Sequence, residues 1–174
     1  MSKLCVFSYN SRGFSIEKQK LCQQLKSTSG DKLAVILNQE NFLLKANSYK
    51  VNQCLPNSHV IFKSAVKEGL NGRPMNGMFI AVPNEIKENV SDVSPDHWRV
   101  QAVIVQSNEE KILILNTYFP VDPKTIRFND NELLEILNVI ENVKFSFIHI
   151  LRKYGMLIII SVAKQLFKEV HQKI

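Results

Sequence analysis

The sequence contains few cysteines, and their spacing suits neither a disulfide framework nor a zinc site. The three cysteines, Cys5, Cys22 and Cys54, are odd in number and include no Cys-x-x-Cys pair. Small secreted scaffolds and structural zinc sites both depend on denser and more regular cysteine patterns. The pattern therefore predicts reduced thiols in an intracellular protein.

Long apolar runs are also missing. A membrane-spanning helix needs about 20 mostly apolar residues, and the nearest candidate, Met156 to Ala163, is far shorter and follows Arg152 and Lys153. The amino-terminal stretch MSKLCVFSYN lacks the apolar region of a secretory signal. A soluble, intracellular chain is the expectation.

No dense run of one charge occurs, although the chain is basic. It has 22 Lys and Arg against 16 Asp and Glu, which gives a net charge of +6 over 174 residues. A scattered positive charge permits a phosphate-rich partner such as nucleic acid without identifying one. With 45% hydrophobic residues, the length favours one domain with a sizeable core over a disordered chain.

Apolar runs bounded by turn residues predict several strands and two helices. Ser15 is placed to cap a helix from Ile16 to about Lys26. The short polar segment QSNEE predicts an antiparallel hairpin between the last two strands. The predicted strands are 4–8, 32–37, 59–63, 78–82, 99–105 and 111–118. The order indicates α/β layers with much antiparallel pairing.

A second helix is predicted after the last of these strands. Asn129 and Glu132 resemble a capping box. The apolar positions that follow have helical spacing, namely Leu133, Ile136, Leu137, Ile140 and Val143.

Polar residues close three of the predicted strands. Asn10 ends the first, Glu40 follows AVILNQ, and Asn116 and Tyr118 end KILILNTY. Sites in layered α/β folds collect at strand ends, where the sheet holds the loops rigidly. There a carboxylate can bind Mg²⁺, an asparagine can position a phosphate oxygen, and a tyrosine hydroxyl can donate to charge building on phosphorus.

Each of these residues also has an ordinary structural interpretation. Glu40 has the pattern of a solvated loop carboxylate, and Asn10 that of a turn former. Tyr118 suits the edge of a strand as an amphipathic aromatic. Arg73, in GRPMNGMFIAV, is typical of a solvated turn residue.

Read in order, four stretches are more specific than any one residue. SYNSRGF, LNQENF, GRPMNGMFIAV and ILILNTYFPVD resemble the opening motifs of the endonuclease/exonuclease/phosphatase superfamily. The resemblance is greatest to the endonuclease domains of non-LTR retrotransposons, and it runs from about Lys3 to Glu141.

The resemblance implies a fold, a chemistry and a set of roles. The family fold is a four-layered α/β sandwich of two packed, largely antiparallel sheets flanked by helices, and this chain corresponds to its N-terminal part. The family cuts phosphodiesters, typically in DNA, with Mg²⁺ or Mn²⁺. Glu40 corresponds to the metal ligand, Asn10 and Tyr118 to catalytic phosphate-positioning residues, and Asn116 and Arg73 to the nucleic-acid side. The implied location is intracellular, the nucleus included.

The second half of the family pattern does not occur in these 174 residues. The family has a strand ending in Gly-Asp-x-Asn, whose aspartate orients the attacking water, and a closing Ser-Asp-His. The sole Asp-His, Asp96-His97, precedes a strand already assigned by the resemblance, so His97 is a poor substitute. The expected domains are an incomplete family domain at 3–143 and a divergent tail at 144–174.

Four interpretations follow from this pattern. The chain is a fragment of a metal-dependent endonuclease without a general base, and therefore without useful turnover. It is alternatively a non-catalytic nucleic-acid-binding or protein-interaction module. The third interpretation is a retroelement relic without a role, and the fourth is an enzyme completed by another chain.

Overall fold

The computed structural model describes residues 4–30, 32–67, 69, 71–106, 111–118, 131, 134–143 and 156–162, the last range as backbone only. The chain divides into two compact units, residues 1–89 and 90–174. Among the described helices, none is both long and apolar enough to cross a membrane.

The first unit is built on a mixed four-stranded sheet with two helices. Its sheet order is β1-β2-β6-β3, in which β1 and β2 are parallel and β6 runs antiparallel to both of its neighbours. A separate two-stranded ladder joins β4 and β5. The elements are β1 (Leu4–Asn10), α1 (Ile16–Thr28), β2 (Leu33–Gln39), α2 (Tyr49–Cys54), β3 (Ser58–Lys63), β4 (Val66–Lys67), β5 (Pro74–Met75) and β6 (Met78–Pro83).

The central strand β6 explains the unbroken apolar run Met78-Phe79-Ile80-Ala81-Val82. Every residue of this strand is buried, so neither face of it is in contact with water. A strand buried on both faces is continuously apolar, because alternation is needed only where one face is solvated.

Helix α1 forms where the sequence predicts it, but its start differs in detail. Ser15 occupies the N-cap position without capping a backbone N–H. Its hydroxyl donates instead to the Glu17 carboxylate at 2.6 Å, and this hydrogen bond lowers the pKa of Glu17. The helix continues to Thr28, two residues beyond the expected end.

The core of the first unit lies between its helices and one face of the sheet. Cys22, Val51 and Cys54 from the helices pack with Ile36 and Phe79 from β2 and β6. Burial of these apolar side chains stabilises the unit by about 25 cal/mol per Å² of apolar surface removed from water.

A tyrosine and two cysteines form a compact polar cluster within this core. The Tyr9 hydroxyl contacts the Cys22 Sγ, and the Cys54 thiol donates to the Gln19 carbonyl at 3.2 Å. Burial raises the pKa of Tyr9. The hydrogen bond with Cys54, together with burial, raises the pKa of Cys22. All three cysteines, Cys5 included, are free thiols.

The second unit is built on another four-stranded sheet. Its order is β10-β9-β8-β7, with β7, β8 and β9 antiparallel and β10 parallel to β9. The strands are β7 (Val90–Asp92), β8 (Val100–Gln106), β9 (Lys111–Thr117) and β10 (Met156–Val162). The predicted β8–β9 hairpin is confirmed, with Val100 opposite Thr117 and Gln106 opposite Lys111.

A helix over residues 134–143, here α3, packs on this sheet. Ile136, Ile140 and Val143 enter a core with residues of β8 and β9, as their spacing predicts. Leu137 is 43% exposed instead, because only part of a helix circumference can face one sheet. The capping-box positions Asn129 and Glu132, and Leu133, lie outside the described residues.

The strand β10 lies within the range expected to be a divergent tail. Residues 158–160 alone do not distinguish helix from strand, since they show no periodicity. The structure pairs them with β9 in parallel, with Ile159 opposite Ile114 and Ser161 opposite Asn116. The rest of 144–174 lies outside the described residues.

Candidate functional site

Asn10 and Glu40 come together at one edge of the first sheet. Strands β1 and β2 are parallel, with Asn10 opposite Gln39, so their carboxyl ends lie at the same edge. The Asn10 side-chain amide donates to the Glu40 Oε2 at 2.5 Å. A hydrogen bond to an ionised acceptor is stronger than one between neutral groups, so this contact fixes the direction of the carboxylate.

Hydrogen bonds to Gln39 and Glu40 hold the turn after β1 against the end of β2, and a further one lies within the turn. The backbone N–H of Ser11 donates to the Gln39 carbonyl at 2.9 Å, and that of Gly13 donates to the Glu40 carbonyl at 2.7 Å. The Ser11 hydroxyl also donates to the Gln39 carbonyl at 3.1 Å. The Asn10 Oδ1 accepts from the Arg12 N–H at 3.0 Å. Asn10 is therefore both a turn former and a partner of Glu40.

Glu40 sits on a strained backbone. Its φ is +52°, and that of Phe42 is +59°, a left-handed conformation that costs an L-residue about 1–2 kcal/mol. Strain of this kind persists only where neighbouring structure overdetermines it, and it concentrates at functional sites. The half-buried carboxylate of Glu40 therefore lies on a turn whose conformation is held by contacts with neighbouring residues.

The residues that impose this shape precede β6. Asn41 N–H donates to the Gly77 carbonyl at 3.1 Å, and Phe42 N–H donates to the Asn76 carbonyl at 2.9 Å. The buried Asn41 side chain accepts from the Leu43 N–H at 2.9 Å. Backbone hydrogen bonds therefore hold the loop that carries Glu40 against the Asn76-Gly77 turn.

Arg73 lies near this turn in sequence but not in contact with the Asn10–Glu40 pair. After Arg73, Pro74 and Met75 pair with Lys67 and Val66 before the chain enters β6. The turn that enters β6 is Asn76-Gly77, with φ of +68° and +82°. Arg73 is exposed, and among the described residues no hydrogen bond or ion pair joins it to Asn10 or Glu40.

The donor set at Glu40 suits a weakly held hard cation. Among the described residues there is no group of three or more His, Cys, Asp and Glu side chains that could hold a metal. Mg²⁺ commonly binds through one or two carboxylates and keeps several waters. A single carboxylate such as that of Glu40, with one oxygen held by the Asn10 amide, is of the type that could bind in this way.

Asn116 and Tyr118 lie in the second unit. Asn116 is fully buried in β9, and its side-chain amide donates to the Gln101 Oε1 of β8 at 3.2 Å. Tyr118 directly follows β9 and is half-buried, and its N–H donates to the Arg99 carbonyl at 3.0 Å. Asn116 therefore supports the strand, and Tyr118 stands at its carboxyl end.

Trp98 and Arg99, directly before β8, were not predicted as site residues, yet Arg99 contacts both Trp98 and the Tyr118 region. The guanidinium carbon of Arg99 lies 3.8 Å from the centre of the Trp98 ring and 5.9 Å from that of Tyr118. The sequence feature that could have indicated this contact is the single tryptophan of the chain, which directly precedes an arginine.

His97 has a structural environment within the same unit. Its Nδ1 accepts from the Arg99 N–H at 3.3 Å, and its Nε2 lies 3.4 Å from the Glu135 Oε1 on α3. Both ring nitrogens thus face partners within the unit.

Three solved structures are similar to this chain in fold. A truncated TDP2 from Caenorhabditis elegans has a TM-score of 0.58 at 12% identity, over 90% of this chain and 60% of that one. TDP2 from C. elegans has a TM-score of 0.56 at 11% identity, over 90% of this chain and 46% of that one. The 3′-5′ exonuclease NExo from Neisseria meningitidis has a TM-score of 0.55 at 14% identity, over 90% of this chain and 57% of that one.

The sequence itself matches no family model and no curated protein. The structural neighbours have the DNase I-like fold of the endonuclease/exonuclease/phosphatase superfamily. The chain spans about half the length of these neighbours. Its fold is accordingly the mixed α/β fold of a truncated DNase I-like domain, with two largely antiparallel sheets and flanking helices.

Proposed function

We propose that the chain is a piece of a metal-dependent phosphodiesterase domain of the retrotransposon endonuclease type. It binds nucleic acid, most simply DNA, through phosphates, and it does not cleave by itself. The observation that carries the proposal is the Asn10–Glu40 hydrogen bond of 2.5 Å at the carboxyl ends of two parallel strands. A fold of this kind in a 3′-5′ exonuclease supports it.

We infer the roles of the residues from the family resemblance, together with where each unit places them. Glu40 would hold Mg²⁺ or Mn²⁺, and Asn10 keeps its carboxylate in one orientation. The cation, when bound, neutralises charge on a phosphate. Tyr118 donates its hydroxyl to a phosphate oxygen, and Asn116 keeps the end of β9 in place. Arg73, exposed on the first unit, adds an unspecific contact to the nucleic-acid backbone.

Cleavage requires a group that activates water, and the 174 residues contain no Gly-Asp-x-Asn and no Ser-Asp-His. A positioned general base contributes about 10²–10⁴-fold to a rate, and a lost transition-state donor costs about 10²–10³-fold. Loss of both leaves turnover below ordinary detection, although binding remains.

The direct test is binding of Mn²⁺, measured as the loss of the free-ion EPR signal when the ion is titrated with protein. Glu40→Gln keeps the size of the side chain and removes its charge, so it should abolish binding. Glu85→Gln, the same change at an exposed position of the first unit, should not. Equal binding by both variants would refute Glu40 as the ligand.

Plasmid nicking in Mg²⁺ tests the second half of the proposal. Neither the protein nor Glu40→Ala should nick supercoiled DNA above background. Nicking by the protein that disappears in Glu40→Ala would show that the chain contains a base, and the proposed lack of turnover would be wrong.

A second candidate is a binding module without any metal, favoured by the Arg99–Trp98 stack directly before β8. DNA binding that falls steeply with salt, together with no Mn²⁺ binding, would select it over the first. Absence of both activities would remove both candidates.

A further inference from the structure

The chain contains two Asn-Gly pairs, Asn71-Gly72 and Asn76-Gly77. Asparagine before glycine is the dipeptide most prone to spontaneous deamidation, because glycine has no side chain to hinder attack by its own backbone nitrogen on the asparagine amide. The two pairs lie on either side of the short strand β5. The structure holds them in different ways, so their reactivity should differ.

Deamidation proceeds in two steps that together consume one molecule of water. The glycine backbone nitrogen loses its proton and bonds to the asparagine Cγ, and the side-chain nitrogen leaves as ammonia when the succinimide ring closes. Water then opens the ring at either carbonyl, which gives aspartate or isoaspartate. Ring closure requires the peptide group between the two residues to turn toward the side chain, so it depends on how freely that peptide group rotates.

The Asn76-Gly77 pair is held against this rotation. The Asn76 carbonyl accepts from the Phe42 N–H at 2.9 Å, and the Gly77 carbonyl accepts from the Asn41 N–H at 3.1 Å. Gly77 is buried and packs closely on Asn41 and Ala65. Turning the peptide group would withdraw the Asn76 carbonyl from Phe42 and press Gly77 against these neighbours. Ring closure at Asn76 therefore requires the turn to open first.

The Asn71-Gly72 pair has no comparable restraint. Asn71 is exposed and lies outside both strands of the β4–β5 ladder. Within the part of the chain that the structure describes, no hydrogen bond or ion pair joins Asn71 or Gly72 to another residue. The side-chain amide and the glycine nitrogen can therefore approach each other without breaking a contact.

We propose that Asn71 is a site of spontaneous deamidation in the folded protein, and that the fold protects Asn76 from the same reaction. Water is the only co-reactant. The product adds a negative charge two residues before the exposed Arg73. The inference goes beyond the proposed function, since the reaction needs neither a metal nor a nucleic acid.

The degree of protection follows from the contacts that opening would break. Opening of the Asn76-Gly77 turn removes at least its two backbone hydrogen bonds. Each such bond lowers the population of the open form about five-fold, so deamidation in the native protein should be roughly 25-fold slower at Asn76 than at Asn71. Unfolding removes the restraint, and the two pairs should then react at similar rates.

Mass spectrometry of the protein, incubated at mildly alkaline pH with and without denaturing urea, measures both rates. Fragment ions assign the mass change from amide to carboxylate to position 71 or 76, and isoelectric focusing shows the loss of positive charge. Gly72→Ala places a methyl group beside the attacking nitrogen, so it should slow the reaction at position 71 and leave that at 76 unchanged. Asn71→Ser removes the reactive amide and should abolish the early charge change of the native protein.

Each outcome decides the proposal. Reaction at Asn71 in the native protein, and at both pairs in urea, would support it. Equal rates at Asn71 and Asn76 in the native protein would refute protection by the fold. A native Asn71 that stays intact while both pairs react in urea would refute it as a modification site, and so would the absence of reaction in urea as well.

Discussion

Replacing Gly77 by alanine tests whether close packing holds the turn that carries Glu40. An alanine Cβ at this position would lie 2.4 Å from the Asn41 Oδ1 and 3.2 Å from both the Cβ and the N of Ala65. The Ala65 N–H is itself engaged, since it donates to the Leu43 carbonyl at 2.8 Å. The new methyl group therefore has no direction in which to move freely.

The cost can be estimated from two separate effects. Gly77 has a φ of +82°, and a left-handed conformation costs an L-residue about 1–2 kcal/mol. Relief of the clash requires the Asn41 side chain to turn away from the Leu43 N–H. A buried group left without its partner costs about 1–3 kcal/mol, so the free energy of unfolding should fall by about 2–5 kcal/mol.

Urea denaturation measures this loss, and Gly30→Ala is the matched control. Gly30 also has a positive φ, +59°, but a Cβ there would meet no atom within 4 Å. It should lose only the backbone part, about 1–2 kcal/mol. In an Asn41→Ala background the extra cost at Gly77 should shrink, as a double-mutant cycle would show.

Equal destabilisation by Gly77→Ala and Gly30→Ala would refute the packing argument. So would an extra cost that persists undiminished in the Asn41→Ala background. Because Asn41 follows Glu40 directly, Gly77→Ala should also weaken Mn²⁺ binding, whereas Gly30→Ala should not.

Three further predictions concern the buried polar groups. Because burial raises the folded-state pKa of Tyr9, the neutral phenol stabilises the fold below pH 10, and this contribution is lost as the pH rises above the unfolded pKa of about 10. Tyr9→Phe should therefore lose less stability than the parent between pH 9 and 11 (nominal assay limits), measured by urea unfolding; an identical decline would refute the assignment. A thiol reagent should label the half-buried Cys5 of the native protein first, and Cys22 and Cys54, 0% and 4% exposed, only on unfolding; prompt labelling of all three would contradict the described core. Asn116→Ala should reduce the free energy of unfolding by about 1–3 kcal/mol, since Gln101 loses a buried donor; a neutral result in thermal unfolding would show that the pair adds no stability.

The local sequence pattern predicted the strands well, because buried strands appear in the sequence as short apolar runs. The β8–β9 hairpin and the central strand β6 formed as expected, since a polar linker and flanking turn residues mark their limits. The positions of Asn10 and Glu40 at strand ends were also predictable. Their contact was not, because it depends on which strand lies beside β1, and no local pattern records that.

The features that escaped prediction depend on tertiary contacts. The β4–β5 ladder has only two residues in each strand, too few for any periodicity to indicate it. The predicted strand 99–105 begins at Arg99, and the stack of Arg99 on Trp98 becomes visible only when the side chains are placed. The roles of Tyr118, Asn116 and Arg73 at a nucleic acid stay predictions.

The parallel strand β10 has a consequence for how the second unit is connected. Its register with β9 brings Ser161 opposite Asn116 and Val162 opposite Thr117. Parallel strands cannot be joined by a tight hairpin and need a crossover connection. Helix α3 lies between β9 and β10 in the chain and packs on β8 and β9, so it belongs to that crossover.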